Sequence, residues 1–333
     1  ELQWVNGATK LTGADSYLEF NVNSARRFKL DANSRISLSN NDSGTSNTVL
    51  GYGSGVNLDA GSNENVFIGH QVSGNGTNND SLYNVGIGFK SLFDLAGGDG
   101  NTAIGHKALF NVDEGQFNVS IGKGSLQNLT SGSSNVAIGT DALGTPTTAE
   151  DIVAIGRGTA YAVNSDNADG TVAIGRLALQ ALTSGAGNTS VGYSSSQAVT
   201  IGRYNTAFGH QALYSEDVGD RTTAVGWGAL YSQNSDSNNE IAGNTGIGMQ
   251  SGYSNVTGTY NTYVGYNAGY GGGSSSQNVA VGGNSLIAVN GGDNNVAVGY
   301  GSAIALTSGG SNVAIGHSAM ITATTAAENV AIG

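Results

Sequence analysis

The 333-residue chain has no cysteine, one proline and two methionines, and charged residues make up only 11% of it. Each scarcity excludes something. Without cysteine there are no disulfide staples and no thiolate metal ligands, and the redox compartment stays open. Twelve Lys and Arg face 24 Asp and Glu, for a formal net charge of -12. No basic stripe exists to neutralise phosphates, so nucleic acid is not an expected partner. An anionic membrane surface gains nothing from this balance either. No apolar run approaches the ~18 residues that span a bilayer, so no membrane insertion is expected. The opening Glu1-Leu2-Gln3-Trp4 lacks a signal peptide's basic start and apolar run. The chain begins without Met and stops on a glycine of its repeat, so a fragment of something longer is expected.

What is abundant is glycine, 54 residues of it. No Gly-X-Y period runs through them, which excludes collagen, and regular apolar columns exclude a disordered linker. Aligning Asn101-Thr102-Ala103-Ile104-Gly105, Asn118-Val119-Ser120-Ile121-Gly122 and Asn135-Val136-Ala137-Ile138-Gly139 exposes a period. Anchor glycines fall at 51, 69, 88, 105, 122, 139, 156, 175, 192, 209, 226, 248, 265, 282, 299, 316 and 333. Of the 16 intervals between them, 12 equal 17 residues. A short fixed period means one stacked unit per copy, each too small to fold alone. The expected fold is therefore all-β, a parallel β-solenoid or β-roll of 17-residue coils over 47–333. Residues 1–46 lack the repeat. Leu18, Phe20 and Val22 alternate with polar neighbours there, as do Phe28 with Leu30 and Ile36 with Leu38, which reads as a small β connector module.

The columns of the repeat set further expectations. The third residue before each anchor is Val or Thr, and the residue just before it is Ile, Val, Leu or Phe. These two lie on one face of a strand, and their bulk argues that this face is the inside. The residue between them is usually Ala, Ser or Gly, with Phe67 and Tyr263 as the aromatic exceptions, and is expected outside. A second glycine recurs ten past the anchor, and both glycines are expected to supply turn angles that a Cβ resists. Asn stands four before the anchor in 14 of the 17 copies. A column so nearly constant reads as a hydrogen-bonded ladder of scaffold amides. With only Val119, Ile121 and Leu126 sizeable inside a typical coil, a lone chain looks under-cored. The small outward columns would then let a second backbone approach, so side-by-side homo-oligomers are expected.

The repeat Asn-Thr/Val-Ala-Ile/Val-Gly-x-x-Ala-Leu resembles the repeats of bacteriophage tail fibres, and is similar to the head repeats of trimeric autotransporter adhesins. The resemblance covers about 47–333. Leu18-Glu19-Phe20-Asn21-Val22-Asn23 followed by Arg27-Phe28-Lys29-Leu30-Asp31-Ala32-Asn33 also resembles the short β module that precedes such repeats in phage fibres. The resemblance implies a homotrimer and the structural shaft or receptor-contacting segment of a virion tail fibre. That segment would attach to a glycan or protein receptor on the host cell surface, alongside other fibre or virion proteins. The alternative is the head of a bacterial trimeric surface adhesin. A third reading is an ice- or surface-binding solenoid, against which an inward Val/Thr column would count.

Chemistry is sparse. His70, His106, His210 and His317 each follow an anchor glycine, where a threefold assembly could bring imidazoles into a metal-binding ring. The same column holds Tyr52, Phe89, Lys123 and Trp227, so surface filling is the simpler reading and no metal is expected. Asp99, Asp113-Glu114 and Glu216-Asp217 with Asp220 fall in polar turns without a device to bury them. No P-loop, zincin or nucleophile-elbow pattern occurs, so neither enzyme activity nor a cofactor is expected. Aromatics are the better lead. Trp227, Tyr231, Tyr253, Tyr260, Tyr263, Tyr266 and Tyr270 cluster within a few coils and are the candidate receptor-binding residues, because exposed rings suit the apolar faces of sugars. Against this, Tyr214, Tyr231, Tyr253 and Tyr270 share the column five past the anchor with Phe93 and Phe110, as a structural ring stack would. Intervals longer than 17 place insertions at 52–64, 70–83, 157–170 and 227–243, and insertions in solenoids often line a binding face.

Overall fold

A computed structural model describes residues 46–76, 80–164, 166–237 and 240–333, and the backbone of 17–22, 25–31 and 36–37. Strands β1 (Tyr17–Val22) and β2 (Ala25–Asp31) form an antiparallel hairpin. A two-residue strand, β3 (Ile36–Ser37), lies antiparallel on β4 (Thr48–Leu50) and so covers the first edge of the long sheet. Strand bounds support the alternation read at Leu18 to Leu30. The side chains there, and Leu38, lie outside the described residues.

From β4 to β20 (Val330–Ile332) the chain is one continuous ladder of three-residue strands, each parallel to the next and in register at every pair. Val119, for example, donates its N–H to the Asn135 carbonyl, and Gly122 donates to the Ile104 carbonyl, both at 2.8 Å. One coil is therefore one repeat. At about 4.8 Å between strands, the sixteen steps make a rod of about 80 Å.

Inside and outside are the reverse of what bulk suggested. In nearly every strand the central residue is buried and its neighbours are half-buried. Ala103, Ala137, Ala154 and Ala173 have no exposed surface, whereas Val136 and Ile138 face out. The reason is the width of the coil. A 17-residue turn leaves so little interior that the inward Ser120 side chain already reaches the Ser125 side chain on the opposite wall. Ala or Ser is what fits, and the rest of the core comes from the opposite wall: Ala108 and Leu109, then Val112, all fully buried. Where the strand residue is Ser, its opposite number is Ser too. Ser120 meets Ser125 at 2.5 Å and Ser190 meets Ser195 at 2.7 Å, so each buried hydroxyl has a partner.

The two glycine columns do different jobs. Anchor glycines have φ between 123° and 146°, a region closed to side chains, and a Cβ on Gly122 would lie 2.6 Å from the Gly139 carbonyl oxygen. The second column does not need an unusual angle. Gly115 is glycine because a Cβ there would meet the Gly132 oxygen at 2.6 Å. Left-handed backbone appears instead at residues with side chains, such as Lys107 (φ 55°), Leu109 (φ 47°) and Phe117 (φ 55°). These positions recur in every coil, and none of the non-glycine residues in that conformation is Val, Ile or Thr. β-Branched residues resist it most strongly.

The Asn column is the ladder expected. Asn118 Nδ2 donates to Asn101 Oδ1 (3.1 Å) and to the Gly132 carbonyl (2.9 Å), while Asn101 Oδ1 also accepts the Asn118 N–H (3.0 Å). Each amide thus ties its own coil to those on either side. Breaks fall at Ile152, Thr171 and Thr222, the three copies without Asn.

Candidate functional site

The predicted aromatic cluster separates into three groups. Tyr214, Tyr231, Tyr253 and Tyr270 stack face to face, centroid distances 4.9–5.3 Å and interplanar angles 5–8°. Phe93 and Phe110 do the same at 4.9 Å. This is the structural ladder, and burial between its neighbours pushes the Tyr231 phenol pKa upward. Trp227, Tyr266 and Tyr260 are exposed at 44%, 51% and 56%.

Tyr263 is a correction: it is fully buried, replaces Ala in the strand's inward position, and offers no surface to a receptor. Its ring occupies space that leucine fills elsewhere. The fourth residue past the anchor is Leu109, Leu126 or Leu143 in regular coils, but Gly252 and Gly269 on either side of Tyr263. A Cβ on Gly252 would lie 2.6 Å from the tyrosine ring, and one on Gly269 would strike it as well. Phe67 lies 3.3 Å from the Cβ positions of Gly55, four past an anchor, and of Gly86, the inward strand residue of the next coil. Burial drives the Tyr263 phenol pKa far above its ordinary value.

The exposed aromatics border the outward sheet face. From the fifth residue before the anchor to the first after it, positions alternate out and in. The outward set is a mixed column with four aromatics in its 17 copies, the Val/Thr column, the Ile/Val column and a column of mostly aromatic, His and basic residues. Phe117 (63%), Tyr204 (57%) and Tyr260 belong to the first; Tyr52 (50%), Trp227, Tyr266 and Tyr300 (57%) belong to the last. Three of the first group lie across a glycine of the coil before: Phe117 on Gly100, Tyr204 on Gly187, Tyr260 on Gly243.

The histidines are rungs of the last column. His70 lies between Tyr52 and Phe89 at 5.1 and 5.2 Å, His106 stacks on Phe89, His210 on Tyr193 and His317 on Tyr300. Among the described residues no three or more His, Asp or Glu side chains converge as metal ligands.

Three of the turn carboxylates find structural partners. Asp99 accepts the Leu82 N–H at 2.8 Å. Asp220 takes the backbone N–H of Arg203 at 2.7 Å and its Nη2 at 2.7 Å. Glu216 corrects the expectation that these acids are unburied: it has no exposed surface. Its Oε1 accepts the N–H groups of Asp217, Val218, Gly219 and Ser235 (2.7–3.3 Å), and its Oε2 accepts the Ser235 hydroxyl at 3.1 Å. Ser235 belongs to the longest insertion, so this carboxylate pins its near end. Gln233, in the same insertion, is buried and accepts from Asn244 and Asn255 at 2.7 and 2.5 Å. It stands where Thr222 interrupts the Asn ladder. The near half of 227–243 is therefore built into the rod, and residues 238–239 lie outside the described residues.

No family model matches the chain, and no curated protein matches it significantly. Among the described residues no helix is long and apolar enough to cross a membrane.

Proposed function

We propose that this chain is a non-enzymatic rod segment, the shaft or receptor-contacting part of a tail fibre, and that it works as a homotrimer whose copies pack on the outward sheet face. The observation that carries this is that face. It runs the whole ladder and presents Val or Thr beside Ile, Val, Leu or Phe in every coil. At about 3.3 Å per residue its four columns are about 20 Å wide. Over the length of the rod that is about 1,600 Å², with the middle two columns Val/Thr and Ile/Val throughout, against about 800 Å² per partner in a standard interface. The oligomer reading thus rests on the bulky columns, not on the small ones that the sequence suggested. A rod with stacked aromatics along its length suits mechanical reach and attachment to a cell-surface receptor.

Light scattering of the folded chain tests the assembly: a threefold mass is expected, and Ile121→Lys with Ile138→Lys, both outward, should reduce it to monomer. A monomeric parent chain would sink the proposal. Attachment is tested separately with fluorescent chain on a panel of bacterial strains. Retention on none would remove the receptor role and leave only a shaft. The same geometry favours a second reading, an ice- or surface-binding solenoid, since the Val/Thr column does face outward; thermal hysteresis in a monomeric chain would select it.

A further inference from the structure

The outward face has two unlike rims. On its first side, the residues five and six before the anchor include eight carboxylates against two arginines, Arg203 and Arg221. On its last side, the residue after the anchor is never Asp or Glu, and it supplies Lys123, Arg157 and Arg176. Some of the acids serve their own chain: Asp99 and Asp220 accept backbone N–H groups of the coil before.

Glu150 and Asp151 do not. Both are exposed, and neither carboxylate makes an ion pair or a hydrogen bond among the described residues. Arg157, at the other end of the same strand, is exposed and equally unengaged. Its column lies about 20 Å across the face from Asp151, six residues at about 3.3 Å each, so the two cannot meet within one chain. One level of the rod thus carries two negative charges on one rim and a positive charge on the other.

Symmetry decides what those rims can meet. Rotation about an axis along the rod sets the last rim of each copy beside the first rim of the next, with equal coils at equal heights. Facing copies that ran antiparallel would instead set first rim against first rim, carboxylate on carboxylate. Opposite potentials across an interface draw partners together, and like charges reject the wrong arrangement.

We propose that the copies on the outward face run parallel about an axis along the rod, and that Arg157 of each pairs with Glu150 and Asp151 of the next. This rests on the oligomer reading above, and adds to it an orientation, a level and the residues that fix both.

The chain has no cysteine, so an introduced one is unique. Ser308→Cys, exposed and off the sheet face, carries a spin label near one end of the rod. Identical labels should lie at one height, within a rod's width of each other; in antiparallel copies they would stand near opposite ends. The pairing is read from oligomer mass against concentration by sedimentation. Arg157→Glu alone, and Glu150→Arg with Asp151→Arg, should each weaken assembly about tenfold or more. All three together exchange the rims and should restore association to within about threefold of the parent chain, as a direct pair does in a mutant cycle. Arginine already stands at both acidic positions in other coils, as Arg203 and as Arg221 in the same left-handed conformation as Asp151. Labels at opposite ends, an assembly indifferent to both reversals, or a triple variant as weak as the reversals would each overturn the pairing and leave the oligomer standing. A parent chain that stays monomeric would remove the oligomer reading itself, and the pairing with it.

Discussion

Coils around 88–156 and coils around 209–282 share a backbone and a column of small inward strand residues, yet differ along part of the opposite wall. In the first, the opposite wall is Leu92, Leu109, Leu126 and Leu143, with Leu95, Val112 and Leu129 below them. In the second, the lower column reads Glu216, Gln233 and Asn255, all buried, and the upper one contains Gly252 and Gly269 beside Tyr263. Strand register passes through both without a slip. The contrast teaches that the coil is enforced by its glycines and backbone ladder, while its filling has chiefly to conserve volume.

If that is right, the largest effect should come from the part the two regions share. Gly122→Ala in the first and Gly248→Ala in the second each place a Cβ about 2.5 Å from the next coil's carbonyl oxygen, at φ 132° and 127°. Both should lose about 4 kcal/mol or more in urea melts. A mild effect in either would mean that the backbone is not the common constraint. Next in size is the filling itself. Tyr263→Ala should cost about 3–5 kcal/mol through the cavity it leaves. Adding Gly252→Leu and Gly269→Leu should recover most of that, because leucine already sits at that left-handed position in the regular coils. The two leucines without Tyr263→Ala should instead overpack and destabilise by about 1–3 kcal/mol. Additivity of the three changes would break the volume-exchange account.

The polar half of the comparison is tested by Glu216→Leu, which installs the residue type of the regular column. It strands four N–H groups and the Ser235 hydroxyl, so a loss of about 2–3 kcal/mol is expected. Hydrogen exchange should rise first at 217–219 and 234–235, with coils 88–156 unaffected. Protection falling evenly along the rod would contradict a local pin. Smaller again, Asn118→Ala removes one rung of the amide ladder and should cost about 1–2 kcal/mol.

Much of this was legible in the sequence, and the part that was misread has a physical cause. The period fixed the coil, its register and the Asn ladder, because those follow from spacing. Alternation in Val119-Ser120-Ile121 announces two faces without saying which is inside, and bulk pointed the wrong way because the interior is narrower than a valine pair. A signal that could have corrected it was present. Residues two and four past the anchor and five before it are never β-branched, which marks left-handed positions and hence a tightly wound coil. Tyr263 could also have been recognised as core from its flanking glycines, which take the place of leucine. Glu216 left no such trace: a lone acid in a polar-looking turn becomes buried only once the 227–243 insertion folds back on it.

The smallest expected effect contrasts two carboxylates that accept backbone N–H groups beside insertions, one buried and one not. Asp59, within 52–64, accepts the Ser62 hydroxyl at 2.7 Å and the N–H groups of Ser62, Gly61 and Asp80 at 3.1–3.3 Å. The Ser62 hydroxyl above all holds its pKa below the ordinary 3.8, against the opposing pull of partial burial. A depressed folded value means that the contribution is complete above the unfolded pKa and is lost as pH falls through the folded one. Because Asp59 is largely solvated, the change should be a local loosening of 52–64 below about pH 4, with no shift in global melting. Carboxyl-resonance titration would read the pKa, and Asp59→Asn should remove the acid dependence of exchange at Gly61 and Ser62. If that dependence persists in Asp59→Asn, another carboxylate governs the loop and the parallel with Glu216 fails.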